Sequence, residues 1–136
     1  DQRMAKKKYI FEFYKRELIG LDGIDFMPVN DWNKPNYWLS VITTTGNIRP
    51  LDIMEALEAD NIESRPVWKP MHMQPVFEDY DFIGSGVSEE LFYNGVCLPS
   101  DTKMTDEDLT RVCGIIKKLW TNKRSYNGIL KAAEVL

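Results

Sequence analysis

The stretch from Arg65 to Phe77 reads Arg-Pro-Val-Trp-Lys-Pro-Met-His-Met-Gln-Pro-Val-Phe, and it constrains the chain more than any other. Pro66, Pro70 and Pro75 each lack a backbone N–H and clash with a preceding helical turn, so the run cannot be an α-helix. Each proline also pushes its predecessor toward extended geometry. The expectation is a stiff, extended, irregular strand or loop. That backbone carries Arg65, Trp68, Lys69, His72 and Gln74, side chains that hold anions, stack on rings and hydrogen-bond polar ligands. A rigid segment bearing such groups reads as half of a binding site.

The flanking segments are more regular. Residues 3–18 form a helix by the 3.6 period, with Met4, Tyr9, Ile10, Phe13, Tyr14 and Leu18 on its apolar stripe. Residues 25–28 read as a short edge strand ended by Pro28. Residues 37–43 read as a strand rich in aromatic and β-branched residues, with Trp38 assigned to the core. Pro50 suits the first turn of a helix whose buried face is Ile53, Met54 and Leu57. Residues 64–67 lead as a strand into the proline run. Residues 87–94 form a helix closed by Gly95 as a left-handed cap. Residues 96–98 make another strand. Thr105 and Asp108 make a capping-box-like start to a helix with Leu109, Val112, Cys113, Ile116, Leu119 and Trp120 on one face. Asn127-Gly128 signals a turn, with one more helical segment over 129–136.

This order predicts an α+β domain, a small mixed or antiparallel sheet with helices mainly on one face. At 136 residues and 43% apolar content the chain is one domain with a modest core. A net charge of −4 argues against nonspecific nucleic-acid binding. Lys6-Lys7-Lys8 reads as a solvated helix face. No apolar run reaches membrane-spanning length. Cys97 and Cys113 have no metal or redox spacing and read as buried free thiols, which fits a reducing cytoplasm.

The proline run also resembles a signature of the DegT/DnrJ/StrS-type sugar aminotransferases, R-P-x-W-x-P-x-H-x-Q-P-x-F. Further likenesses follow in order: Asn36-Tyr37-Trp38-Leu39 upstream, then Glu89-Glu90-Leu91-Phe92, Gly95 to Ser100, and Thr105 to Asp108. The resemblance covers residues 1–120 and leaves 121–136 as an extension. It implies the small C-terminal domain of a fold-type I pyridoxal phosphate enzyme, cut from a longer parent or expressed alone. In the family, the Schiff-base lysine and phosphate cup lie in the large N-terminal domain. No catalytic residue is therefore expected in this chain, which alone should be inactive and should not hold the cofactor firmly.

The resemblance further implies a homodimeric parent that moves an amino group, usually from glutamate, to a nucleotide-linked keto-deoxysugar. The Trp68-Lys69-Pro70 variant points to UDP-linked 4-keto-6-deoxy-N-acetylhexosamines, feeding surface polysaccharide or lipopolysaccharide. His72 is placed by the resemblance near the sugar nucleotide. Lys69 is a candidate for its diphosphate, Trp68 equally for stacking on a sugar or base or for packing at a domain interface, and Arg65 for substrate or a nearby carboxylate. Gln74 would orient the loop, and Val76 and Phe77 would anchor it in the core. Alternatives are a non-catalytic binding or regulatory module and a pyridoxal phosphate-dependent sugar dehydratase. By residue type Ser100, His72 and Asp101 also spell a hydrolase triad, without a nucleophile elbow or oxyanion hole.

Overall fold

The computed structural model describes residues 1–133, with side-chain surroundings as far as Asn122. Four short antiparallel strands form one sheet in the order β1-β2-β4-β3: β1 is Ile24–Phe26, β2 Ser40–Thr44, β3 Arg65–Pro66 and β4 Gly95–Leu98. Helix α1 spans Gln2–Leu18, α2 Pro50–Glu58, α3 Val87–Asn94 and α4 Asp106–Ala133. The expected α+β class holds.

Register decides which residues share a face. Ser40 pairs with Leu98, and Ile42 with Val96 and Phe26. Directly opposed residues point to the same side of a sheet, so these form one face. It is covered by Ile10, Phe13, Tyr14 and Leu18 of α1, Ile53 and Leu57 of α2, and Leu109, Val112, Cys113, Ile116 and Trp120 of α4. Each fully buried Leu or Ile there contributes roughly 1.5–3 kcal/mol. Trp120 satisfies its indole N–H on the Asp22 carbonyl at 2.8 Å. The α4 start is the expected reciprocal cap: Thr105 N–H donates to Asp108 Oδ2 at 2.8 Å, and Asp108 N–H donates to Thr105 Oγ1 at 3.2 Å.

Several expectations are corrected. Met4 and Tyr9 are exposed, whereas Phe11, absent from the expected stripe, is buried. Phe11 serves the rim of the sheet, packing on Phe26 and Tyr37 at 5.9 and 5.1 Å between centroids. Strand β2 starts at Ser40, because Tyr37 adopts φ 53° and turns the chain. Gly95 is not a left-handed cap: its φ of −103° and ψ of 147° are those of a strand. Glycine fits there because a Cβ would lie 2.4 Å from the Leu91 carbonyl oxygen and 2.5 Å from Val67 Cγ2. Helix α4 runs without a turn across 127–128. Residues 134–136, part of the expected last helical segment, lie outside the described residues.

The proline run is not extended throughout. It turns twice as 3-10 helix, at Met71–Met73 and Pro75–Phe77, with Pro75 at the first helical position, where no N–H is needed. Pre-proline Gln74 is extended, φ −83° and ψ 140°, as sterics require.

Candidate functional site

The opposite face of the sheet is built differently. Val41 pairs with Cys97, Cys97 with Arg65, and Thr43 with Gly95. Over it lies an open groove of about 610 Å³, walled by Trp38, Arg65, Trp68 and Lys69, with Phe92 of α3 and Cys97 of β4 also lining it. Helix α3 buries no residue completely.

Trp68 stands in the groove, as the proline run suggested, and is 62% exposed. Its partner carries no sequence signal. Trp38, expected in the core, is equally exposed and lies 5.7 Å from Trp68 between centroids, tilted by 35°. The positive φ of Tyr37 swings Trp38 out of the strand. A left-handed aromatic residue leaves no mark in β-propensity.

Lys69 also lines the groove, and no hydrogen bond or ion pair engages its ammonium among the described residues. Its backbone is held: Gln74 Nε2 donates to the Lys69 carbonyl at 3.3 Å, the orienting role expected of Gln74. Arg65 donates to Glu63 Oε1 at 2.8 and 2.6 Å in an exposed pair, the carboxylate partnership that was one of its two readings.

His72 stands outside the groove lining. Its ring stacks on Phe82 at 3.5 Å between centroids and 15° between planes. Its Nε2 lies 2.8 Å from Glu89 Oε1. Glu89 is in the first turn of α3. Its own backbone N–H, then the Ser88 hydroxyl, then His72 hold its carboxyl below the usual carboxylate range. An ionised Glu89 has no hydrogen to give, so it accepts from Nε2–H of His72. Their separation of seventeen positions carries no sequence signal. Glu89, noted in the sequence only as part of the Glu89-Glu90-Leu91-Phe92 likeness, is also the partner of His72.

The hydrolase triad is overturned. Ser100 is buried; its Oγ donates to the Leu98 carbonyl at 2.9 Å and accepts from Ser40 N–H at 3.0 Å. With that hydroxyl tied between two strand ends and His72 committed to Glu89, nucleophile and base are not brought together. Val76 does not anchor the core; it is 71% exposed. Lys7 is not merely solvated: its Nζ donates to the Trp38 carbonyl at 2.9 Å and to the Ser100 carbonyl. Both cysteines are free and buried, and burial raises their thiol pKa values, Cys113 to about 11. Among the described residues no cluster of three His, Cys, Asp or Glu could hold a metal, and no helix is long and apolar enough to cross a membrane.

A sequence model of the DegT/DnrJ/EryC1/StrS aminotransferase family matches residues 1–117. EpsN of Bacillus subtilis (strain 168), which bears the name of a pyridoxal phosphate-dependent aminotransferase, is 40% identical over 124 residues, covering 88% of this chain and 32% of EpsN. A GDP-perosamine synthase of Vibrio cholerae is 28% identical over 120 residues, 86% of this chain and 32% of that protein. Among solved structures, DesI in the presence of its TDP-sugar product aligns with a TM-score of 0.79 at 18% identity, over 94% of this chain and 34% of DesI. CalS13, a sugar aminotransferase from Micromonospora echinospora, aligns with a TM-score of 0.76 at 20% identity, over 88% and 31%. These likenesses establish the fold. The chain spans about a third of the length of the curated relatives it matches.

Proposed function

Because the chain belongs to the DegT/DnrJ/EryC1/StrS aminotransferase family, we propose that it serves as the C-terminal domain of an enzyme that aminates a nucleotide-linked keto-deoxysugar. Glutamate is the amino donor, and a UDP-4-keto-6-deoxy-N-acetylhexosamine is the acceptor we favour. The product feeds surface polysaccharide or lipopolysaccharide. The parent works in the cytoplasm as a homodimer, with most of the dimer contact outside this domain. We assign residues 1–120 to this domain and 121–136 to an extension.

The family depends on pyridoxal phosphate, which supplies an electron sink for moving the amino group. The groove of this chain does not fit that cofactor. Its one lysine, Lys69, is exposed and followed by Pro70, whereas a Schiff-base amine must reach a buried aldehyde. The N-terminus of α3 carries Glu89, so an acid sits where a phosphate would bind.

The groove suits a nucleotide sugar better. The observation that carries this reading is the exposed Trp38–Trp68 pair beside the unengaged ammonium of Lys69. Indoles stack on a base or sugar face, and an ammonium acts as a point charge toward a diphosphate. Arg65 stands across the sheet from Cys97 as a second cation for the same anion. We assign His72, its ring fixed by Glu89 and Phe82 just outside the groove lining, to a sugar hydroxyl. The test is incubation of the full-length protein with glutamate and a panel of nucleotide-linked keto sugars. Formation of 2-oxoglutarate and an amino sugar is expected; no amino transfer to any of them would overturn the proposal.

A further inference from the structure

Tyr37 holds φ 53°. A bulky L-residue stays in that region only where its surroundings impose it, and such corners concentrate at functional sites. Here three contacts impose it. The Tyr37 ring packs on Phe11 of α1, 5.1 Å between centroids. Asn36 Oδ1 accepts from Trp38 N–H at 3.0 Å. Lys7 Nζ donates to the Trp38 carbonyl at 2.9 Å, and to the carbonyl of Ser100. Trp38 and Ser100 both line the groove, so one ammonium fastens two parts of its wall.

Helix α1 is organised around this task. Lys7, Phe11 and Tyr14 stand at i, i+4 and i+7, one stripe of the helix. Lys7 takes Trp38 and Ser100, Phe11 takes Tyr37, and the Tyr14 hydroxyl donates to the Pro99 carbonyl at 2.8 Å. The stripe grips both chain segments that border the groove, before β2 and after β4. A staple that only held the sheet together would not need a left-handed Tyr37, because Ser40 and Leu98 are already paired in the ladder. What the strained corner adds is the outward aim of Trp38. At 5.7 Å and 35° the two indoles touch directly, so a ligand ring stacks on the pair and not between its members.

We propose that Lys7 is a positioning residue, which holds Trp38 against Trp68 so that the indole pair forms a fixed platform for the nucleotide sugar. This rests on the assignment of the groove made above. The test uses the full-length enzyme and its Lys7→Met and Lys7→Arg variants. Three quantities are read: the exciton couplet of the indole pair in circular dichroism, defined by difference against Trp68→Ala, KM for the nucleotide sugar, and the rate of the glutamate half-reaction. Lys7→Met is expected to weaken the couplet and raise that KM about tenfold, the scale of a lost charge-assisted hydrogen bond. The glutamate half-reaction should not move, and Lys7→Arg should recover both signals.

If Lys7→Met leaves couplet and KM unchanged while Trp38→Ala raises KM, the role of Lys7 is overturned alone. If Trp38→Ala and Trp68→Ala leave KM unchanged, the groove assignment falls and the platform falls with it. Should Lys7→Met fail to fold, Asn36→Ala removes the other hydrogen bond on the Trp38 backbone at an exposed position. Loss of couplet and a raised KM in that variant supports the fixed corner; no change in either overturns it.

Discussion

The two faces of this four-stranded sheet obey different rules. On one, Ile42, Val96 and Leu98 disappear beneath three helices. On the other, Arg65, Trp68 and Lys69 stand around an open groove, and α3 buries nothing completely. The covered face accounts for why the chain folds. The open face accounts for why it carries a stiffened, polar, aromatic segment that folding alone does not require. The difference separates residues whose loss should unfold the domain from residues whose loss should be felt only by a ligand.

The sharpest way to break this division is to truncate one residue on each face. Ile42 is fully buried, so Ile42→Ala should cost about 2–5 kcal/mol by lost transfer energy and cavity formation. Trp68, at 62% exposure, should cost far less despite its larger side chain. Urea denaturation of both variants measures this. Equal losses would mean that the groove face also holds the fold.

The next effect is on function. Lys69→Ala in the full-length enzyme should raise KM for the nucleotide sugar about ten- to hundredfold, or roughly 1.5–3 kcal/mol of lost charge-assisted contact. Half-reaction kinetics should show glutamate turnover unaffected, and the melting temperature should stay in place. A raised KM for glutamate instead would move Lys69 to the donor side.

Much of the covered face was legible from sequence, and the physical reason is periodicity. Ile53 and Leu57, or Leu109, Val112, Cys113 and Ile116, recur at helical spacing, and each helix is buried along that stripe. The Thr105–Asp108 cap and Pro50 at a helix start are local chemistry with local consequences. The open face was half legible. Prolines announced a stiff segment, and Trp68 and Lys69 do reach the groove. What stayed hidden depends on tertiary contact: Trp38 turned outward by Tyr37, Glu89 beside His72, and Lys7 reaching across to Trp38 and Ser100. Gly95 misled for the same reason. Its role is close packing against Leu91 and Val67, not a backbone angle.

A smaller effect sharpens the covered side. Thr105→Ala removes a cap and should cost about 1 kcal/mol. It should also alter the acid limb of stability. The Thr105 backbone N–H, and then its hydroxyl, hold the Asp108 carboxyl below its ordinary 3.8. A carboxyl depressed in the folded state stabilises it above the unfolded value, and that contribution is lost as pH falls through the lower folded value. Thermal melts across pH 2 to about 6 should show the variant losing part of this acid sensitivity. Identical slopes in both proteins would mean that the Thr105 hydroxyl adds nothing to the hold of its backbone N–H on Asp108.

The smallest effect tests what Arg65 is for. Its contact with Glu63 is short, yet both side chains are about three-quarters exposed, at 76% and 74%. Exposed pairs contribute about 0–1 kcal/mol, because water screens the attraction and ordering two long chains costs entropy. Glu63→Gln should therefore leave stability within about 0.5 kcal/mol of the parent. It should, however, release the guanidinium. If Arg65 belongs to the open face in function as well as in place, freeing it from a competing carboxylate should lower KM for the nucleotide sugar slightly, by no more than about threefold, with less than 1 kcal/mol behind it. The double variant with Arg65→Ala should abolish that gain. An unchanged KM in Glu63→Gln, with stability also unchanged, would leave Arg65 a surface residue that merely borders the groove and confine the ligand's anion contacts to Lys69.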